Sequence, residues 1–371
     1  MSVLTIDIYE RNGLCVGVPR QLRIEFEGAM YHLVARGNRH EAIFRDDQDR
    51  QSFLCLLGDI CVKASWKVHA YCLLDNHFHL VVETPIATLT SGMKWLLGVY
   101  TGRFNRRHQT TGHVFAGRYK SVVIDTQSGS YFQTACDYVH LNPARAKLLK
   151  PLEPLSSFQW ASVRDYLMSP VKRKPWLHVN RLFLAMGIAH DDSVARREFE
   201  RQLEARRLIE KSSDWNKVRR GWFLGGEDFR ALLITRIRDQ LKEGHYAEQK
   251  QESIRAHAER IVIDELRRHN WNEMDLLHQL KGDKVKVAIA RRVRSETTAT
   301  LKWISSRLKM GKWSYAANCI YELAKKDERK KPKQTTVTSN SATEIASKSS
   351  ISQKQVRTDP FLFEVLPTHC L

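Results

Sequence analysis

The chain has no apolar run long enough to span a membrane, and its mean hydropathy is −0.44. Its first ten residues carry acids where a secretory signal peptide needs bases, and no long apolar core follows them. These absences disfavour membrane and secreted proteins. The sequence therefore predicts a cytoplasmic protein without a membrane partner.

Acidic residues are in short supply. The 371 residues include 60 Lys and Arg against 41 Asp and Glu, which gives a formal net charge of +19. A chain this basic indicates a polyanionic partner, most simply nucleic acid. An anionic membrane surface is the rival partner, and the lack of a basic amphipathic helix beside an apolar anchor weakens it.

Closely spaced cysteine pairs are missing as well. The seven cysteines contain no Cys-x-x-Cys pattern, their number is odd, and several stand in apolar runs. The expectation is free thiols in a reducing compartment, mostly packed in the core.

The order of elements predicts the fold class. Periodicity gives a strand, a helix, a hairpin, a helix, a strand and a further helix, at residues 30–36, 46–64, 66–74 with 77–83, 90–107, 119–125 and 130–141. This order predicts an α+β fold, a ferredoxin-like split βαβ antiparallel sheet with helices on one face. An all-α helix-turn-helix domain is predicted to follow it.

Composition divides the chain further. The predicted parts are an N-terminal segment (1–28), the α+β domain (29–180), a charged helical connector (181–253), a helical domain (254–324) and a disordered tail rich in Lys, Ser and Thr (325–371). Alternating charge within the connector is typical of a solvated helix face.

The second strand of the hairpin carries His77 and His79, two residues apart. Side chains two apart on a strand point to one face, so the two imidazoles could hold one metal ion together. They could equally be ordinary strand residues. Because no cysteine is near and amide and carboxylate oxygens are, an oxygen-preferring divalent ion is favoured over structural zinc.

The helix at 130–141 and the residue that follows it add a possible nucleophile. Tyr138 and Asn142 are four residues apart and share a face, so Asn142 could give an amide oxygen to the same ion. Tyr138 would then lie beside the metal, where a phenolate could attack a phosphodiester. Spacing alone does not separate Tyr138 from Tyr131 or Tyr119, and all three could be packing aromatics.

Four stretches of residues 19–166 together resemble a known family. They are Tyr31-His-Leu-Val-Ala-Arg-Gly-Asn38, Leu74-Asp-Asn-His-Phe-His-Leu-Val81, Gly117-Arg-Tyr-Lys-Ser121 and Asp137-Tyr-Val-His-Leu-Asn-Pro-Ala-Arg-Ala146. This set resembles the REP-associated tyrosine transposases, single-strand DNA transposases of the IS200-like, one-tyrosine HUH type.

The resemblance implies an enzyme that cleaves single-stranded DNA beside a hairpin and rejoins the ends, with Mg²⁺ or alternatively Mn²⁺ as cofactor. It implies His77 and His79 as metal ligands, Tyr138 as the catalytic nucleophile, and Asn142 as a less secure third ligand. It implies a monomer or a homodimer. The residues that would contact DNA are Arg36, Asn38, Arg118 and Lys120, each of which could also be an ordinary surface residue.

Residues 284–323 predict three short helices, the last two joined by a tight turn near Gly311. This pattern indicates a helix-turn-helix and resembles the C-terminal DNA-binding domain of bacterial replication initiators. A plain helical bundle is the alternative. If the motif is a helix-turn-helix, the recognition helix begins with Lys312, Ser314, Tyr315 and Asn318.

Two rival functions stay open at the level of sequence. One is a domesticated, non-catalytic protein that binds hairpins or other DNA and regulates them. The other is a nicking initiator of replication or conjugation, which would use the same chemistry on another substrate.

Overall fold

A computed structural model describes residues 24–330, apart from 128–129, 211–214, 217, 219–220 and 243–245. The chain divides into two compact units, residues 1–250 and residues 251–371. Most of the predicted N-terminal segment, residues 1–23, and most of the predicted tail, residues 331–371, lie outside the described residues.

The first unit is built on a five-stranded sheet. Its strands are β1 (Ala29–Arg36), β2 (Lys67–Leu74), β3 (His77–Thr84), β4 (Lys120–Ile124) and β5 (Phe223–Leu224). Their order across the sheet is β2-β3-β1-β4-β5, and the first four strands pair antiparallel. The two-residue β5 adds to β4 in parallel, which the sequence did not predict. The α+β class and the predominantly antiparallel sheet are as expected.

Helix α1 (Asp47–Ala64) and helix α2 (Leu89–His108) form the first helical layer. The side chain of Asp46 caps α1 by accepting the Asp49 N–H at 3.0 Å, as a helix start of this kind requires. In the core, the Phe53 ring of α1 packs between Phe78 of β3 and Tyr100 of α2, with ring centroids 4.8 and 5.3 Å away.

Helix α3 (Tyr131–His140) lies on the other face of the sheet. Its Tyr138 ring contacts His79, and side chains alternate along β3, so His79 faces away from Phe78. The prediction that the helices lie on one face is therefore wrong. The interior of β3 is buried on both sides, and one helical layer could not cover both.

The described part of the first unit also contains the α-helices α4 (Asn142–Arg145), α5 (Ser162–Leu167), α6 (Asn180–Ala185), α7 (Ser193–Ile209) and α8 (Glu227–Lys242). Helices α6 and α7 fall within the segment predicted as a charged connector. They bury Phe183 and Phe199, whose rings pack on Tyr166 of α5. The charged outer face of α7 thus accompanies an apolar inner one.

From residue 251 the chain forms the second unit, with its own apolar core. Its elements are the greater part of α9 (Tyr246–Arg268), which begins before residue 251, and then α10 (Asp275–His278), α11 (Lys284–Glu296), α12 (Leu301–Arg307) and α13 (Trp313–Lys330). The last three are the three predicted helices. Asp283 and Thr300 cap α11 and α12, and Gly311, at φ +83°, lies in the turn before α13.

Four cysteines are free thiols, as expected: Cys61, Cys72, Cys136 and Cys319. Cys55 is disulfide-bonded, which corrects the expectation for that residue. An odd count of widely spaced cysteines does not exclude one pair. Among the described residues, no helix has the length and apolar content needed to cross a membrane.

Candidate active site

Three histidines share one face of the sheet at its centre. Strands β1 and β3 pair so that Arg36 lies opposite His77 and Val34 opposite His79. Directly opposed residues point the same way and side chains alternate, so His32 joins His77 and His79 on this face. The predicted pair is therefore part of a group of three.

A polar contact engages one ring nitrogen of each candidate metal ligand, His77 and His79. The Nδ1 atom of His79 lies 2.9 Å from Nε2 of His32. The Nδ1 atom of His77 lies 2.7 Å from Oδ1 of Asn76, the turn residue before it. The rings of His77 and His79 are 5.0 Å apart, centroid to centroid. In both histidines the Nε2 atom is the nitrogen left for another partner.

All three imidazoles are held neutral at physiological pH. Burial, followed by the positive charges of Lys120 and Arg145, lowers the pKa of His32 to about 3. Burial, then the positive charge of Arg36, lowers the pKa of His77 to about 4. Burial is also the largest cause that holds the pKa of His79 well below its ordinary value. A neutral imidazole is the form that binds a metal ion.

Helix α3 brings Tyr138 onto this group. The centroid of its ring lies 5.5 Å from that of His79 and 5.3 Å from that of His32, both edge-on. Tyr131 is two helical turns earlier, and Tyr119 precedes β4. The ring contacts with the histidines thus favour Tyr138 among the three tyrosines that the sequence left open.

Two residues from later in the chain pack on the Tyr138 ring. The Arg145 guanidinium carbon lies 3.9 Å from the ring centroid, and Arg145 Nη2 donates to the main-chain carbonyl of Tyr138 at 2.6 Å. The Trp215 ring, almost fully buried, lies 5.6 Å from that of Tyr138. Under these contacts, the exposed fraction of Tyr138 is 8%.

Asn142 is buried at the first residue of α4. Pro143 follows it and has no N–H for the α3 carbonyls, so α3 ends at His140 and α4 begins anew. The hydrogen bonds of the described residues do not join the Asn142 side chain to His77 or His79. Within the described part of the chain, no group of three or more His, Cys, Asp or Glu is arranged to hold a metal.

The predicted DNA contacts of the first unit fall into two sets. Arg36 lies opposite His77, and Lys120 lies opposite Val34 on the other side of β1, so both are on the histidine face. Asn38 and Arg118 are exposed in the segments after β1 and before β4. The structure thus brings Arg36 and Lys120 close to the histidines and leaves the other two at the surface.

Sequence reasoning missed three residues of this site: His32, Arg145 and Trp215. His32 is two residues before Val34 in a predicted strand, so its face could have been inferred once the pairing of β1 with β3 was known. Arg145 follows Tyr138 by seven residues, two helical turns. Trp215 had no sequence signal, because its place depends on how the chain returns after α7.

In the second unit, the predicted recognition residues begin α13. Lys312 and Asn318 are exposed and Ser314 is half-buried. The Tyr315 hydroxyl packs against Gly282 so closely that a Cβ there would lie 2.5 Å from it. A hydrogen bond with Cys319 raises the pKa of Tyr315. Tyr315 thus contacts its own unit through its hydroxyl, while its side chain is 45% exposed.

In a comparison with known families, the sequence model described as "Transposase IS200 like" matches residues 25–142. This range runs from β1 through Tyr138 to Asn142 and includes both predicted metal ligands. No curated protein matches the chain significantly.

One similar solved structure is that of a REP-associated tyrosine transposase bound to a REP hairpin. It is 14% identical, with a TM-score of 0.33, over 40% of this chain and 85% of that one. A likeness at this level does not bear on function. The resemblance to the IS200-like transposases is confirmed by the family match, and residues 25–142 are the part of the chain that carries it.

Proposed function

We propose that the chain is a single-strand DNA transposase, which cleaves DNA beside a hairpin and joins it covalently to Tyr138. The observation that carries this proposal is the packing of the Tyr138 ring on His79 and His32 at the centre of the sheet. The match of residues 25–142 to the IS200-like transposases supports the substrate class, and the net charge of +19 suits DNA.

The donor set fits a divalent cation. His77 and His79 are neutral, lie on one face, and have their Nδ1 atoms engaged, which is the usual arrangement of metal-binding histidines. His77 and His79 would hold the ion through Nε2, and Asn142 is the candidate third ligand. A bound Mg²⁺ or Mn²⁺ would supply positive charge to the non-bridging phosphate oxygens.

The remaining chemistry belongs to the chain itself. The Tyr138 hydroxyl loses its proton and its oxygen attacks the phosphorus. One bridging P–O bond breaks, and the released sugar oxygen takes up a proton. The resulting phosphotyrosyl ester conserves the energy of the broken phosphodiester bond. A second DNA hydroxyl can therefore attack the ester, release Tyr138 and join a new end. Arg36 and Lys120, on the same face, would bind backbone phosphates.

The second unit would provide an additional hold on DNA. We propose that α12 and α13 form a helix-turn-helix for duplex DNA, with Lys312, Ser314, Tyr315 and Asn318 as the residues at the DNA. In this scheme residues 29–180 are the nuclease domain and residues 254–324 the DNA-binding domain. A DNA substrate would be consistent with action in the cytoplasm.

One observation favours a second candidate, a non-catalytic DNA-binding protein. Tyr138 is 8% exposed beneath Arg145 and Trp215, as a structural tyrosine would be. Turnover requires the hydroxyl to reach a phosphate in the complex, whereas binding alone does not.

The test compares wild type with Tyr138→Phe and with the matched control Tyr131→Phe, from the same helix. Each is incubated with labelled single strands that contain candidate hairpins, in the presence of Mg²⁺. A covalent protein–DNA adduct with wild type and Tyr131→Phe, and none with Tyr138→Phe, supports the enzyme. Hairpin binding by all three without any adduct supports the binding protein.

A further inference from the structure

Neither the sequence motifs nor the proposed reaction assigns a role to His32. It is 1% exposed, on β1, two strand positions from the residue opposite His79. Its ring lies nearly parallel to that of His79, at 6°, with the centroids 5.2 Å apart. A polar side chain buried this deeply normally has a specific partner.

The partner of its Nε2 atom is the Nδ1 atom of His79, whereas its buried Nδ1 atom has no hydrogen-bond partner among the described residues. The 2.9 Å separation from His32 Nε2 is a hydrogen bond, so one of the two nitrogens carries the hydrogen. If His32 donates, His79 carries its own hydrogen on Nε2 and has no free lone pair. If His79 donates from Nδ1, its Nε2 lone pair is free for a metal ion. The direction of this bond therefore decides whether His79 can be a ligand.

The neighbouring histidine shows the same design with an unambiguous acceptor. His77 Nδ1 lies 2.7 Å from the Asn76 amide oxygen, which can only accept. The Asn76 amide nitrogen donates to the His40 carbonyl at 3.4 Å, which orients the amide. His77 thus carries its hydrogen on Nδ1 and leaves its Nε2 lone pair free for a metal ion. His32 lies at the Nδ1 atom of His79 in the same way that Asn76 lies at the Nδ1 atom of His77.

We propose that His32 is a positioning residue: it accepts the Nδ1–H of His79, leaves the His79 Nε2 lone pair free for the divalent cation, and braces Tyr138 against the same ring. This inference deepens the proposed function and rests on its assignment of His79 as a ligand. The edge-on contact of His32 with Tyr138, at 5.3 Å, joins the ligand and the nucleophile through one side chain. His32 itself is no ligand, because its Nε2 is occupied by His79.

The first readout needs neither metal nor DNA. The full-length protein is labelled with ¹⁵N-histidine, and the tautomer of His79 is read from its ring-nitrogen shifts in EDTA. Wild type is expected to show His79 with hydrogen on Nδ1. His32→Gln, whose side-chain oxygen accepts, is expected to keep this tautomer, and His32→Leu to lose it. A wild-type His79 with its hydrogen on Nε2 would overturn the proposal.

The second readout is affinity for Mn²⁺ alone, measured by electron paramagnetic resonance. Loss of an outer partner of a metal-bound histidine typically weakens binding about 10- to 100-fold. That loss is expected for His32→Leu, with recovery to within a few-fold of wild type for His32→Gln.

The matched control is His140→Leu. His140 is a fully buried histidine of α3 that bonds Ser162 Oγ at 2.8 Å, away from the metal candidates. His140→Leu should destabilise the fold comparably and leave Mn²⁺ affinity unchanged. Equal weakening by both Leu variants, or unchanged affinity in His32→Leu, would refute the positioning role. Because neither readout uses DNA, failure of the cleavage assay alone would leave this result standing.

Discussion

Arg145 is the residue whose removal should most sharply reveal how Tyr138 is held. Its guanidinium lies 3.9 Å from the Tyr138 ring centroid and 5.1 Å from that of Trp215, and it donates to the Tyr138 carbonyl. We expect Arg145→Leu to loosen the end of α3, because leucine keeps part of the packing volume and removes both interactions.

The size of the effect follows from those two interactions. A hydrogen bond from a charged donor contributes about 1.5–3 kcal/mol, and a cation–π contact about 0.5–2 kcal/mol. Since Arg145 is half-buried, we expect a combined loss of about 2–4 kcal/mol in the free energy of opening around Tyr138. At 1.36 kcal/mol per tenfold change, that is a rate increase of about 30- to 900-fold.

Amide hydrogen exchange of the α3 peptides, read by mass spectrometry, measures this opening. The matched control is Arg201→Leu, which removes an exposed arginine paired with Glu198 on α7. An exposed ion pair contributes less than about 1 kcal/mol, so α3 exchange should change by less than about fivefold. If Arg145→Leu changed it no more than the control, the account of how Tyr138 is held would be wrong.

Three further predictions concern the metal, pH and the second unit. His77→Ala should abolish cleavage and leave hairpin affinity within about twofold of wild type, because the half-buried imidazole would bind the metal and is not part of the apolar core. An equal loss of hairpin binding in a gel-shift titration would mean that His77 has a structural role. Burial raises the pKa of the Asp137 carboxyl to about 7. Between about pH 4 and pH 7 the native state keeps this proton, whereas the unfolded chain releases it. The contribution of Asp137 to the free energy of unfolding therefore becomes more unfavourable as the pH rises through this range. Asp137→Asn should match wild type at pH 4 and exceed it at pH 8 by at most about 4 kcal/mol in urea unfolding; parallel curves would contradict the shift. Lys286 Nζ donates to the Leu276 and Gln279 carbonyls at 2.8 and 2.9 Å. Lys286→Met should lower the free energy of unfolding by about 1–3 kcal/mol, against less than about 0.5 kcal/mol for the exposed Lys302→Met, and equal effects would show that the two hydrogen bonds are unimportant.

The order and type of the elements around the site could be predicted because their signals are local. Asp46 begins a helix where its side chain can cap it, and Asp75-Asn76 turns between two apolar strands. The strand His77–Thr84 was predicted to within one residue for the same reason. These local structures depend on a few neighbouring residues, so they can be predicted without knowledge of the whole fold.

The remaining features depend on contacts between distant segments. The residues of β3 alone do not predict that helices cover both of its faces. The residue pattern of a strand buried on both faces differs little from that of a mostly apolar strand buried on one face. The partnership of His32 with His79 requires the register of β1 on β3, 47 residues apart in sequence. The packing of Trp215 on Tyr138 requires the path of the chain after α7.

The central claim is that Tyr138 becomes covalently joined to DNA, and peptide mapping of the adduct tests it most directly. The protein is incubated with the hairpin strand and Mg²⁺, digested with protease and nuclease, and the nucleotide-bearing peptide is sequenced by mass spectrometry. The account predicts a nucleotide on Tyr138. A nucleotide on Tyr131 or Tyr119, or an unmodified Tyr138 peptide while hairpin binding persists, would contradict it.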